Sequence, residues 1–310
     1  MNSINWFPGH MAKTRRQLEE QLKKIDVAVE LCDARLPFSS RNPELDRMLN
    51  GKKRVLVLNK ADLADEAVTK RWLSVFRSGG IEAFAFDASR MKKKDGTLLL
   101  ENAAREAVEK AAARGVRKTV RAMVVGVPNV GKSTWINRIH GGNIAEAGDR
   151  PGVTRSNQWV RVSPWLELLD TPGLLWPRLD DQEAARRLCY IGSVKDDIVD
   201  VTELGLSLLK DMAVIRPKSL ETRFHINSED IFLPGVELME AACRGRGFLL
   251  KGGLPDYERC ARTALDEFRS GLMGRITLEE PGKESGKDPQ REPEKNREIK
   301  EPGKDTGADE

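Results

Sequence analysis

Over its first 170 residues the chain alternates short apolar runs with longer stretches of helical spacing. VAVEL at 27–31, VLVL at 55–58 and AFAF at 83–86 have the length and residue types of buried strands, as do 121–126, 158–162 and 166–169. Helices are predicted at 66–77, at the alanine-rich 97–114, and at 11–25, where Met11, Leu18, Leu22 and Ile25 share one face among basic residues. This alternation is the pattern of an α/β unit, a mostly parallel sheet of about six strands covered on both faces and ending near Pro177. From 179 the strand signals fade and helical patterns take over, as at 183–190, 204–212 and 257–268. The expected layout is an α/β domain at 1–178, a helical domain at 179–278 and a disordered charged tail at 279–310, which has too few apolar residues to fold.

Composition and charge narrow the class. No apolar run approaches the roughly 20 residues of a membrane-spanning helix, and MNSINWFPGHMAK lacks the apolar core of a signal peptide, so a cytoplasmic location is expected. Cys32, Cys189, Cys243 and Cys260 are scattered, without C-x-x-C spacing or a neighbouring histidine, which favours reduced thiols over a zinc or redox site. The net charge of +4 is uneven, because 279–310 holds eleven acidic and seven basic side chains and leaves +8 on the rest. An excess of that size suits polyanion binding or simply a solvated surface, and composition does not choose between them.

The candidate chemistry lies at the ends of the predicted strands. GVPNVGKS at 126–133 matches G-x-x-x-x-G-K-[ST] between a strand and a helix, the setting of a phosphate-binding loop. Backbone N–H groups of Asn129, Val130, Gly131, Lys132, Ser133 and Thr134 can wrap phosphates at the positive helix end. Lys132 is expected to reach the β and γ phosphates, and Ser133 to bind Mg²⁺. NKAD at 59–62 fits the N-K-x-D signature that selects GTP: the Asp62 carboxylate accepts the ring N–H and the exocyclic amine of guanine, a donor pair that adenine lacks. Asn59 would support the pocket, and the Lys60 stem would pack along the ring. DTPG at 170–173 fits the switch that holds Mg²⁺ through Asp170 by way of water and the γ phosphate through the Gly173 N–H. Thr154, between the two motifs, is the candidate threonine that closes on Mg²⁺ in the triphosphate state. Asp87, Ala88 and Ser89 occupy the place of the loop that touches the guanine oxygen, in an order that departs from the usual Ser-Ala pattern.

The order NKAD, GVPNVGKS, Thr154, DTPG is a circular permutation of the usual GTPase order, tolerated where domain termini lie close together. With NWFPGHMAKT, DARLPFSSRNP and GGLPDYERCARTALDEFRSGLMGRITLE, the chain resembles the ribosome biogenesis GTPase A family of bacterial large-subunit assembly factors, from about residue 4 to 279. That resemblance implies a helical domain that touches ribosomal RNA, the large ribosomal subunit as partner, a late maturation step, and no membrane or DNA ligand. It also marks His10, in FPGH, as catalytic. Another group must act on water, since the position of the Ras-type glutamine is Leu174 and a hydrocarbon cannot orient it. The alternative for His10 is to cap or pack the first helix. Asn129 is similar to the asparagine that binds K⁺ in potassium-stimulated GTPases, where the ion supplies the charge an arginine gives elsewhere. A signalling switch and an RNA-modification accessory GTPase stay open as functions, although the helical region offers no paired carboxylates, Cys-His cluster or second cofactor loop.

Overall fold

The structure is a computed structural model that describes residues 10–87, 90, 92–145, 148, 154, 157–175 and 181–282, without the side chains of 10–14. Its six strands are β1 (Val27–Asp33), β2 (Lys53–Asn59), β3 (Glu82–Phe86), β4 (Val120–Val125), β5 (Gln158–Ser163) and β6 (Leu166–Asp170). They form one sheet in the order β3-β2-β1-β4-β6-β5. The first five of that row are parallel, whereas β5 runs antiparallel to β6. Only two residues separate β5 from β6, room for a hairpin but not for the crossover a parallel pair needs.

Alternation along the strands assigns each face. Val27, Val29 and Leu31 of β1, with Val55, Val57, Ala122 and Val124, meet Leu99 and Leu100 of α4 (Lys93–Ala112) and Trp135 and Ile136 of α5 (Lys132–His140). On the opposite face Met123, Val125 and Leu169 pack with Leu18 and Leu22 of α1 (His10–Leu22) and Leu45 of α2 (Pro43–Met48). Further along that face, Leu56 and Leu58 meet Val68, Trp72 and Phe76 of α3 (Glu66–Ser78). Every residue of β1 is buried, as expected of a central strand with both faces covered.

Among the described residues five α-helices follow the sheet: α6 (Gln182–Tyr190), α7 (Val201–Ile215), α8 (Pro217–Phe224), α9 (Val236–Arg246) and α10 (Tyr257–Ser270). The helices α7 and α10 approach closely at Gly205, where an added Cβ would come within 2.4 Å of the Ala261 Cβ. Their core is continuous with the α4/α5 side of the sheet. Helix spacing alone did not single out α2, α8 or α9. The first two are six and eight residues long, too short to display a period, and each opens on a proline at its first turn.

The expected tail boundary needs correction. Glu279 is fully buried, and its carboxylate accepts the N–H groups of Phe38 and Ser39, at 2.6 and 3.1 Å, while its carbonyl accepts Trp72 Nε1–H at 2.9 Å. Just before it, Ile276 N–H donates to Leu63 O and Leu278 N–H to Arg35 O. After the helical region the chain thus returns to the sheet, because these buried donors need acceptors. Residues 283–310, the rest of the expected tail, lie outside the described residues. Among the described residues no helix is long and apolar enough to cross a membrane, and all four cysteines are buried free thiols.

Candidate functional site

The motif residues converge because parallel strands deliver their C-terminal ends to one edge of the sheet. There β1 ends at Asp33, β2 at Asn59, β3 at Phe86, β4 just before Gly126, and β6 at Asp170. The strand order turns between β1 and β4, and the crevice at such a turn is where open α/β sheets hold ligands.

The loop 126–131 is shaped by close approaches. Gly131 has φ +89°, and a Cβ there would come within 2.5 Å of Asn59 Nδ2. That same amide donates to Val130 O at 2.7 Å, while Lys60 Nζ donates to Asn129 O at 2.7 Å. NKAD and the phosphate-loop motif, 71 residues apart, therefore form one hydrogen-bonded unit. Lys60 and Asn129 both adopt left-handed backbone, at φ 58° and 63°, which costs a non-glycine residue on the order of 1 kcal/mol. Phe86 O accepts the Ala61 N–H, setting Asp87 beside the NKAD turn, where Asp62 is half-buried. Ala88 and Ser89 lie outside the described residues.

At the other end of the loop, Ser133 Oγ donates to Asp170 Oδ2 at 2.7 Å and lies 3.0 Å from Thr154 Oγ1. The second Asp170 oxygen, Oδ1, is buried and has no hydrogen-bond partner among the described residues. Burial pushes the Asp170 carboxyl up from its usual range, against the Ser133 hydrogen bond and Lys132. Burial likewise brings the Lys132 ammonium down to about 8, with Asp170 opposing; Lys132 Nζ donates to the carbonyls of Val127 and Gly126. Two hydroxyls and a buried carboxylate with a spare oxygen form a hard-oxygen set suited to Mg²⁺. Gly173 packs against the loop, with room for no side chain: an added Cβ would lie 2.6 Å from Pro128 N.

Several contacts at this site carried no signal in the motifs. Asn129 Nδ2 donates to Ile191 O at 2.6 Å, and Ser193 Oγ to Pro128 O at 2.6 Å, so the loop after α6 sits directly on the phosphate-loop motif. Arg269 secures that loop through Tyr190 O, Cys189 O and a bidentate pair with Asp196 at 2.7 Å. A cleft of about 860 Å³ opens there, lined by Lys60, Leu63, Asn129, Gly192, Lys195 and Arg269. Asp33, which Arg35 and Lys60 hold at about 2 against the upward push of burial, buttresses the Lys60 side. His10 is the first residue of α1, but its side chain lies outside the described residues.

A mostly parallel sheet with these motifs at its C-terminal edge, and with the guanine motif ahead of the phosphate loop, defines a circularly permuted P-loop GTPase. The family model described as 50S ribosome-binding GTPase matches residues 121–222. Ribosome biogenesis GTPase A of Bacillus cereus is 45% identical over 282 residues, covering 90% of this chain and 94% of the relative. Its counterpart in Priestia megaterium is 44% identical, covering 90% and 97%. The GDP-bound structure of TM YlqF superposes with a TM-score of 0.63 at 28% identity, over 86% of this chain and 99% of that one. The chain belongs to the ribosome biogenesis GTPase A family and hydrolyses GTP.

Proposed function

We propose that this GTPase binds immature large ribosomal subunits and uses GTP binding and hydrolysis to control a late step of their assembly. The observation that carries the reading is the direct bonding of Asn129 and Pro128 to Ile191 and Ser193, 2.6 Å in each case. A rearrangement at the phosphates has a short path into the helices that follow, in addition to the covalent path beyond DTPG. In this reading 1–178 is the switch, 179–278 contacts ribosomal RNA, and 279–310 is a tail apart from its anchored start.

In the nucleotide site Asp62 reads guanine, with Asn59, Lys60 and the segment Asp87, Ala88 and Ser89 around the base. The backbone of 129–134 and Lys132 hold the phosphates. Mg²⁺ would be held by Ser133, Thr154 and, through water, Asp170, and when bound it neutralises phosphate charge. Asn129 commits its Nδ2 to Ile191 and keeps its amide oxygen for K⁺. Replacing K⁺ by Na⁺ is expected to slow GTP turnover at least about fivefold, since the ion adds positive charge at the developing phosphate charge. Equal phosphate release in the two salts removes the potassium role.

The basic residues differ in what they can offer RNA. Arg16 and Lys251 are exposed, whereas Arg244 pairs with Glu240, and Arg15 with Glu19 and Glu44. Arg246 is committed elsewhere: it bonds Glu267 and Arg223 O and stacks over Phe224 and Phe248. Its guanidinium is therefore held within the helical region rather than offered to phosphate. Lys13 lies outside the described side chains.

The purified protein should cosediment with immature large subunits about tenfold more tightly in a non-hydrolysable GTP analogue than in GDP, a coupling of ordinary size. Binding should weaken as salt rises, and small subunits should bind little. Equal binding in both nucleotides, or a preference for small subunits, overturns the assembly role and leaves the GTPase standing.

A further inference from the structure

Asn42 lies near the end of the DARLPFSSRNP segment, whose start supports Lys60 through Asp33; Asn42 itself lies outside the base and phosphate motifs, yet it is fully buried and employs both ends of its amide. Its Oδ1 accepts the Glu44 N–H at 2.9 Å and caps α2, with β-region backbone at φ −95° and ψ 114°. Its Nδ2 donates to Leu174 O at 2.9 Å, across 132 residues of sequence.

Leu174 directly follows DTPG and is held from three directions. Its N–H donates to Gly126 O at 3.2 Å, so its backbone is tied to the start of the phosphate-binding loop. Its carbonyl is taken by Asn42, which ties it to α2. Its side chain, 3% exposed, packs in the cluster of Leu18 and Leu22 from α1 with Leu45 and Leu49 at α2. The two helices also meet through Arg15 and Glu44, 3.4 Å apart. A residue that fills the position of a water-orienting glutamine thus serves as an anchor, and the only polar side chain described on that anchor belongs to Asn42.

The choice of amide is chemically specific. Aspartate, serine or threonine would cap α2 equally well, and aspartate would gain from the helix dipole. A hydroxyl accepts and donates through one oxygen, whereas the amide carries its acceptor and its donor on separate atoms and so spans the cap and a carbonyl on its other side. We propose that Asn42 is a positioning residue for GTP hydrolysis, whose amide holds the backbone after DTPG against α2 and so sets the γ-phosphate end of the site relative to α1 and α2. The bond acts within this chain and does not depend on the identity of the ribosomal partner.

Three variants of the full chain separate this role from simple capping. Asn42→Ser keeps a cap oxygen but lacks the second atom that reaches the Leu174 carbonyl; Asn42→Ala removes both; Asn42→Asp keeps the cap and sets an acceptor against the Leu174 carbonyl. Steady-state GTP hydrolysis with Mg²⁺ at pH 8, over a range of GTP concentrations, is compared with thermal unfolding. Asn42→Ser is expected to lower kcat by about 5- to 50-fold with KM within about twofold, the pattern of an interaction that acts in the transition state. Its Tm should stay within about 2 °C of wild type, while Asn42→Ala matches its kcat and loses a few degrees more, as loss of a cap predicts. Asn42→Asp should lower kcat at least as far as Asn42→Ser, which supplies the comparison if one of the two does not fold. Wild-type kcat in either cap-retaining variant reduces Asn42 to a helix cap. A fall in kcat that simply follows Tm across the series has the same meaning.

Discussion

Asp62→Asn is expected to lose GTP binding by about 10²- to 10⁴-fold and to gain xanthosine triphosphate, because two charge-assisted hydrogen bonds, each worth about 1.5–3 kcal/mol, disappear together. The carboxylate can accept from both the ring N–H and the exocyclic amine of guanine. An amide presents its own N–H₂ to that amine, donor against donor, whereas xanthine carries an oxygen there and accepts it. The turn that holds Asp62 does not depend on its charge. Ala61 N–H is bonded to Phe86 O, Leu63 N–H to Lys60 O, and Arg275 donates to the carbonyls of Ala61 and Ala64. The variant should therefore fold normally, and titration with both nucleotides reads base selection alone. Unchanged GTP affinity would move the base site away from Asp62.

The second large effect is expected at His10. His10→Ala should bind GTP within about twofold of wild type, yet lose particle-stimulated turnover by about 10- to 1000-fold, the range for a group that positions or deprotonates water. The described backbone supplies the route. Helix α1 begins at His10, and its Leu18 and Leu22 share one buried cluster with Leu174 of the switch. Whatever sets Leu174 also bears on the helix whose first residue is His10. Single-turnover hydrolysis with saturating large-subunit particles measures the step without interference from product release. Equal rates for variant and wild type would assign His10 to capping or packing α1.

The strands and the motifs at their ends were legible because each is local. A buried β1 must alternate its contacts between two covered faces, and Val27, Val29 and Leu31 against Ala28 and Cys32 do so. A phosphate-binding loop must sit between a strand and a helix, and Gly126 to Ser133 bridges β4 and α5. The guanine motif preceding that loop, and hence the permuted order, can be read from the chain with no coordinates at all.

Other features depend on which surface meets which. Neither period nor propensity says that Asn42 will reach the Leu174 carbonyl 132 residues away, or that Asn129 will donate to Ile191, 62 residues on. As the cap of α2, Asn42 uses only the oxygen of its amide, and the nitrogen's partner is fixed by packing. Composition made 279–310 a tail, yet Glu279 is drawn into the fold by the N–H groups of Phe38 and Ser39, some 240 residues earlier. By composition alone Arg246 is one more cation for RNA; in the fold Glu267 and two phenylalanine rings claim it. The sequence by itself determined the strands, the motifs and their order, since these follow from periodicity and steric rules acting over a few residues. Only the tertiary structure decided how the switch is anchored, because buried polar groups take partners from whatever surface the packed core brings against them.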